Sequence, residues 1–294
     1  MTLSKQEWID LEKKAAELRE LCIETVNWAG SGHWGGSSSC ADILTLLYYK
    51  YANFDPKNPT DPDRDRIVVS KGHVGIVLAP MFALLGLVKK EDLKTFNHTG
   101  SKLGIHLDSN KVVGLDSSTG SLGHGSSLGL GMALAGQILG KNYKTFVVLG
   151  DGECDEGSVW EAAMATAHFT KKKRGAGNLI TIVDRNHNMI DGNTEDIMAL
   201  EPFEDKWKAF GFETIVVNGH DIPALSDALE KAIAGGEKPY CIIADTVKGQ
   251  GVSFSAGNYK WHYGALDEAK YNTAKADLAE YAKIRIARAE KEGK

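Results

Sequence analysis

The stretch TFVVLGDGECDEGSVWEAA, residues 145–163, decides how this chain is read. Its first six residues, TFVVLG (145–150), form a continuous run with no polar alternation, as expected of a strand buried on both faces of a parallel sheet. A helical pattern follows near 158–170. Between the two, G-D-G ends the run and leaves Asp151 at the carboxyl end of the strand, where open α/β sheets bind their ligands. Similar Val/Ile runs recur as IVVS (67–70), LITIVD (179–184), FETIVV (212–217) and YCIIAD (240–245), with helical segments near 74–86 and 222–234 among them. This alternation predicts an α/β fold, a doubly wound, mainly parallel sheet flanked by helices.

Outside the sheet region, residues 4–29 read as an amphipathic helix. Ser4 and Glu7 have the spacing of a capping box, and Gly30 follows as a stop. A second helix is expected over Ala41–Lys50. Residues 267–294, rich in Ala, Lys and Glu, read as a charged C-terminal helix or tail attached to a domain spanning 1–266.

The 294 residues carry 34 Lys and Arg against 39 Asp and Glu, a net charge of −5, which excludes a nucleic-acid binder working through bulk positive charge. KKKR (171–174) is therefore read as a solvated loop. Four cysteines without C-x-x-C spacing fit a reducing compartment. The N-terminus lacks a signal-peptide pattern, and the longest apolar run, Val74–Val88, is too short to span a bilayer. A cytoplasmic protein without membrane or nucleic-acid partners is expected. Of the 32 glycines, four lie in 28–36 and thirteen in 100–157, which points to backbone that turns sharply or approaches a ligand in those segments.

VDRNHNMIDG (183–192) supplies the partner to Asp151. Asn186 falls two residues past a strand end and 35 residues after Asp151, the length of one strand–helix–strand crossover. A carboxylate and an amide oxygen at neighbouring strand ends suit a hard cation such as Mg²⁺, which completes its shell with phosphate oxygens and water. Gly150 and Gly152 let the backbone approach a phosphate, and the helix starting near Ser158 presents free N–H groups. The alternative is an ordinary tight turn. Four histidines, His33, His73, His106 and His262, lie in glycine-rich or loop contexts and are candidates for acid–base work. Their spacing gives little support to a zinc site. The run DSSTGSLGHGSSLGLGMALAG (116–136) reads as a turn entering a helix packed closely on the sheet.

Taken in order, SGHWGG, SKGH, STGSLGHG, GDGECDEGSVWEA, IDG, the Lys-Gly of TVKGQG and the WH of KWHYG resemble the successive motifs of the transketolase family, over residues 30–264. The resemblance implies thiamine diphosphate and Mg²⁺ (or Ca²⁺ or Mn²⁺) as cofactors. It implies Asp151, Asn186 and the carbonyl of Asn188 as metal ligands, and Gly152 and Glu153 against the diphosphate. Gly120, Ser121 and Leu122 match the segment that contacts the cofactor through its backbone. Gly36, Lys71, His73, Lys248 and His262 match positions near cofactor or substrate. His33, His73, His106 and His262 match the histidines around the reacting sugar, and Glu156 matches the acidic residue of the cofactor-activation network at the subunit interface. Trp34 stands where the family usually has proline, and His124 where it has glutamine; Trp34 is expected to reshape the mouth of the pocket.

The resemblance also implies what is missing. The glutamate that activates the cofactor belongs to a pyrimidine-binding domain beyond the length of this chain. The expectation is an N-terminal subunit of a split transketolase, inactive alone, completed by a C-terminal subunit in an α2β2 assembly. The complete enzyme would move a two-carbon ketol unit from a ketose phosphate to an aldose phosphate. A ketol transferase for a modified sugar, the α chain of a 2-oxo acid dehydrogenase and a non-catalytic thiamine diphosphate-binding homologue are the alternatives.

Overall fold

The computed structural model describes residues 3–172 and 176–293. Five strands, β1 (Arg66–Val69), β2 (Thr145–Gly150), β3 (Leu179–Arg185), β4 (Glu213–Asn218) and β5 (Tyr240–Asp245), form one sheet in the order β1-β2-β3-β5-β4. Every pairing is parallel. The helices are α1 (Lys5–Ala29), α2 (Trp34–Ser39), α3 (Ala41–Leu46), α4 (Gly75–Leu84), α5 (His124–Ile138), α6 (Gly157–Lys171), α7 (Thr194–Ile197), α8 (Phe203–Ala209), α9 (Ile222–Ala234) and α10 (Glu268–Glu292).

The chain advances from β1 through β2 and β3, passes to the edge at β4, then steps back to β5. Crossovers of one hand put helices on opposite faces when the direction reverses. Accordingly Ile222, Leu225 and Leu229 of α9 join a core with α1 and α4, whereas α5, α6 and α8 contribute Leu130, Val159 and Trp207 to a core on the other face. Within β2, Phe146 and Val148 enter the first core and Val147 and Leu149 the second. Burial on both faces is the physical reason for the unbroken apolar run. β4 departs from it: as an edge strand it leaves Val216 52% exposed.

The capping box of α1 forms as expected, with Glu7 N–H donating to Ser4 Oγ at 3.3 Å and Ser4 N–H to Glu7 Oε2 at 2.9 Å; Gly30 follows with φ 75°. The segment expected as one helix over 41–50 is α3 followed by a wider turn over Leu47–Tyr51. α2 is hidden in SGHWGGSSS because two glycines disfavour a helix. Packing overrides that propensity: a side chain on Gly35 would stand 2.8 Å from the Trp261 carbonyl oxygen and 2.9 Å from Lys248 Cγ.

α10 lies along α1 and buries Ala274, Leu278 and Ala289. Lys173 and Arg174 of the KKKR run lie outside the described residues. The four cysteines are buried and free. Among the described residues, no helix is long and apolar enough to cross a membrane.

Candidate functional site

The carboxyl ends of β1, β2, β3 and β5 each release one loop into a common cavity of about 390 Å³. Lys71 follows β1, Asp151 follows β2, Asn186 and Asn188 follow β3, and Lys248 follows β5. The register explains their convergence, since Gly150 pairs with Asp184 and Asp184 with Ala244, bringing these loops out at the same level. Asp151 Oδ2 accepts the His187 N–H at 2.6 Å, so its carboxylate lies against the loop carrying Asn186 and Asn188. His187 adopts φ 62°, a left-handed turn between the two asparagines.

Asp184 is the hub beneath the cavity. It is fully buried, pairs with the Lys71 ammonium, and accepts from Ser39 Oγ at 2.6 Å, Thr246 Oγ1 at 2.5 Å and Asn186 Nδ2 at 3.3 Å. Anchoring the amide nitrogen of Asn186 leaves its oxygen as the end available to a ligand; at present it accepts the Asn188 N–H at 3.3 Å. Burial works against the charges of Lys71 and Asp184, but each holds the other ionised, raising the lysine's pKa and lowering the carboxylate's. Burial, with Asp184 nearby, pushes Asp151 up to about 6 despite the Arg185 guanidinium 3.5 Å from its Oδ2.

The oxygen set of Asp151, Asn186 and the Asn188 carbonyl fits a hard divalent cation. Lys248 Nζ now donates to the Asn188 carbonyl at 2.8 Å, so a metal ligated there would displace the ammonium. Burial brings Lys248 down to about 8.

All four candidate histidines line the cavity. The His33, His73 and His262 rings form a triangle with centroids 5.0, 5.2 and 5.3 Å apart. Burial, reinforced by neighbouring cations and imidazoles, lowers them to about 4, 2 and 3 respectively, so all three are neutral at neutral pH. Lys248 Nζ lies 3.0 Å from His262 Nδ1; because the ammonium donates, the imidazole proton is on Nε2. His33 Nδ1 is buried without a hydrogen-bond partner, an acceptor or donor left for a ligand. A side chain on Gly120 would stand 2.9 Å from His106 Cδ2, and Gly36 keeps the floor open beside Lys71 and His73. Among the described residues, no group of three His, Cys, Asp or Glu is arranged to hold a metal.

The depressed histidines predict a pH effect on stability. Folded His73 stays neutral to about pH 2, while the unfolded chain protonates it near pH 6.5. The stability it supports is complete above pH 6.5 and is lost as the pH falls, by up to about 2 kcal/mol at pH 5. Chemical denaturation should show a smaller loss between pH 7 and 5 for His73→Phe than for the parent chain; equal losses would refute the effect.

Several expected residues sit differently from their anticipated places. Glu153 borders the cavity, but its carboxylate accepts from Ser70 Oγ, Gly123 N–H at 2.7 Å and Gly150 N–H at 3.0 Å. These bonds fix the two glycine turns. Gly152 and Leu122 border the cavity, whereas Ser121 and Glu156 lie outside it and are exposed. Glu156 occupies the N-cap position of α6 next to Gly123, without a side-chain capping hydrogen bond. Trp34 does not shape the pocket mouth: it is 2% exposed, and its indole N–H donates to Ser255 Oγ at 2.9 Å beneath the site. His124 opens α5 and is exposed. Met189 and Ile190 also line the cavity. Both lie in the NMIDG turn, where an apolar pair beside two asparagines is the available signal.

Comparison with known proteins agrees with this geometry. The family model "Transketolase, thiamine diphosphate binding domain" matches residues 11–286. The 6-deoxy-6-sulfo-D-fructose transketolase subunit SqwG of Clostridium sp. (strain MSTE9) is 42% identical over 94% of this chain and 98% of its own length. An apulose-4-phosphate transketolase subunit of Phocaeicola vulgatus is 38% identical over 96% of this chain and 97% of its own. The crystal structure of transketolase from Campylobacter jejuni superimposes with a TM-score of 0.84 at 32% identity, covering 95% of this chain and 46% of that one. With the cavity, its strand-end residues and these matches in agreement, the chain belongs to the transketolase family, as a thiamine diphosphate-binding domain.

Proposed function

We propose that this chain is the N-terminal, cofactor-binding subunit of a split transketolase that transfers a two-carbon ketol unit between sugars. The observation that carries the proposal is the cavity in which two lysines, an all-oxygen ligand set and four histidines meet at four strand ends. The near-complete mutual coverage with relatives named as subunits supports the split arrangement.

Asp151, Asn186 and the Asn188 carbonyl would hold a divalent cation, Mg²⁺ or in its place Ca²⁺ or Mn²⁺, to neutralise the diphosphate of the cofactor. Gly152 and Gly120 let their backbone lie close to the cofactor, with Leu122 beside them. When bound, thiamine diphosphate supplies the nucleophilic carbon for breaking and making a bond next to a carbonyl. The chain's histidines supply proton management. As neutral imidazoles, His33, His73 and His262 can each offer an N–H donor to a substrate oxygen at neutral pH. His262, with Nδ1 occupied by Lys248, donates from Nε2. His106, against Gly120, adds a fourth polar group. Lys71, with its charge compensated by Asp184, holds the floor at the Gly36 carbonyl, to which it donates at 2.9 Å. Glu156 belongs to the face that meets a partner subunit carrying the pyrimidine-binding domain and its activating glutamate, in an assembly with two copies of each chain (α2β2).

The relatives named above act on modified sugars by name, 6-deoxy-6-sulfo-D-fructose and apulose-4-phosphate. This favours a modified-sugar donor over an unmodified ketose phosphate. The purified chain should show no ketol transfer alone and gain turnover when a pyrimidine-domain subunit is added with thiamine diphosphate and Mg²⁺. A donor panel containing both modified sugars and ordinary ketose phosphates would then rank substrates. Turnover by the chain alone would overturn the split-subunit reading.

A further inference from the structure

The segment Thr246–Gly249 carries Lys248 into the cavity and is held by several hydrogen bonds, among them Gly257 N–H to the Lys248 carbonyl at 2.8 Å and Thr246 N–H to the Arg185 carbonyl at 3.0 Å. Thr246 is bound to Asp184, and Gly249 N–H donates to the Gly35 carbonyl at 3.0 Å; both anchors belong to the floor of the site. Another anchor comes from outside the site. Val247 N–H donates to His220 Nε2 at 2.9 Å, and His220 Nδ1 lies 2.9 Å from Asp42 Oδ2. His220 stands in the turn between β4 and α9, away from the cavity. Because Nε2 accepts from an amide, the imidazole proton must be on Nδ1, donated to Asp42. Asp42 is itself immobilised: it is fully buried and gripped by Arg19 of α1 and Arg285 of α10.

We propose that His220 is a positioning residue for Lys248, a strut that transmits the fixed position of Asp42 to the Val247 amide and so sets where the Lys248 ammonium stands. This rests on the reading that the cavity takes thiamine diphosphate and a divalent cation. A side chain that only filled space would not need an acceptor toward Val247 and a donor toward Asp42 on opposite ring nitrogens. Lys248 contacts the Asn188 carbonyl and His262 together, so a shift of its backbone by a fraction of an ångström alters both contacts.

The test compares His220→Phe, which keeps a ring and removes both hydrogen bonds, with His220→Gln, whose amide can accept and donate in the same sense. Amide hydrogen exchange of the peptide covering 246–251 is read on the chain without ligand. Affinity for thiamine diphosphate with Mg²⁺ is read by calorimetry on the chain, with the partner subunit present if the chain alone does not bind. His220→Phe is expected to exchange this peptide at least tenfold faster and to bind about tenfold more weakly, with His220→Gln within about threefold of the parent in both. On a Lys248→Met background the His220→Phe effect on affinity should fall below twofold, because the strut then has nothing left to position. Unchanged exchange in His220→Phe, or the same affinity loss on the Lys248→Met background, overturns the proposal. If His220→Phe does not fold, an affinity or exchange rate of His220→Gln shifted as far as tenfold overturns it instead. If the parent chain binds no cofactor with or without a partner, the cofactor reading fails, while the exchange data still decide whether His220 holds the segment.

Discussion

Asp184→Leu should be among the most damaging single substitutions in this chain, costing on the order of 3–5 kcal/mol of stability. The carboxylate is the counter-ion of Lys71, whose side chain is 3% exposed, and the common acceptor for Ser39, Thr246 and Asn186. Its removal leaves the buried ammonium with the Gly36 carbonyl, strips Thr246 Oγ1 of its acceptor, and takes one partner each from Ser39 and Asn186. The cost is one of desolvation without compensation, so it should shrink when the other charge goes too. Asp184→Leu with Lys71→Met should therefore be more stable than Asp184→Leu alone, as measured by urea denaturation. Asp184→Asn should lie between the parent and Asp184→Leu, since it keeps an acceptor and loses the charge. A double variant no more stable than the single one would show that Asp184 matters for its hydroxyl partners and not for Lys71. Cofactor affinity should fall with Asp184→Leu, because the Asn186 amide then keeps only Ser39 Oγ, at 3.3 Å, to orient it.

Asp184 also marks the boundary of what can be read from the sequence. Asp151 and Asn186 are legible because each follows an apolar run and 35 residues separate them, a spacing that parallel topology converts into adjacency. Asp184 ends the run LITIVD and looks like strand-end punctuation; only the register opposite Gly150 and Ala244 shows that it points under the site. A charged residue closing a run buried on both faces is the signal, and Lys71 after IVVS is its complement. The histidines stand out as a set, but no periodicity joins residues 33, 73, 106 and 262, and their meeting is a product of tertiary structure alone. Trp34 misleads for the opposite reason: a large side chain beside His33 suggests the pocket mouth, whereas its indole has a buried partner in Ser255. The strands and α9 are legible nearly to the residue because burial on both faces and helical periodicity are local patterns. α2 is not, because what stabilises it is contact with residues more than two hundred positions away.

Arg285→Met is the second substitution expected to have a large effect, and it concerns the segment whose composition resembles a solvated tail. α10 carries exposed charges, as such a segment should: Lys283 is 76% exposed, and its pairing with Glu280 contributes little. Arg285 is different. Its Nε donates to Glu12 Oε2 at 2.5 Å, and its two terminal nitrogens reach Asp42 at 3.2 and 3.1 Å, joining α10 to α1 and α3. Asp42 would keep Arg19 and His220 after the substitution, but Glu12, 5% exposed, would keep only the Trp8 indole N–H at 2.9 Å. Burial already raises the pKa of Glu12, with Arg285 opposing the rise. Without Arg285 the carboxyl should titrate higher still, so its charged form destabilises the fold above the pKa of the unfolded chain and that penalty vanishes at lower pH. The expected loss is about 3 kcal/mol or more at pH 7, smaller at pH 5, and partly recovered by adding Glu12→Gln. Lys283→Ala should stay within about 0.5 kcal/mol of the parent. If Arg285→Met proved as mild as Lys283→Ala, α10 would be an appendage. If it shows the predicted loss and pH dependence, the helix that reads as a tail is one of the supports on which Asp42, His220 and the Lys248 segment depend.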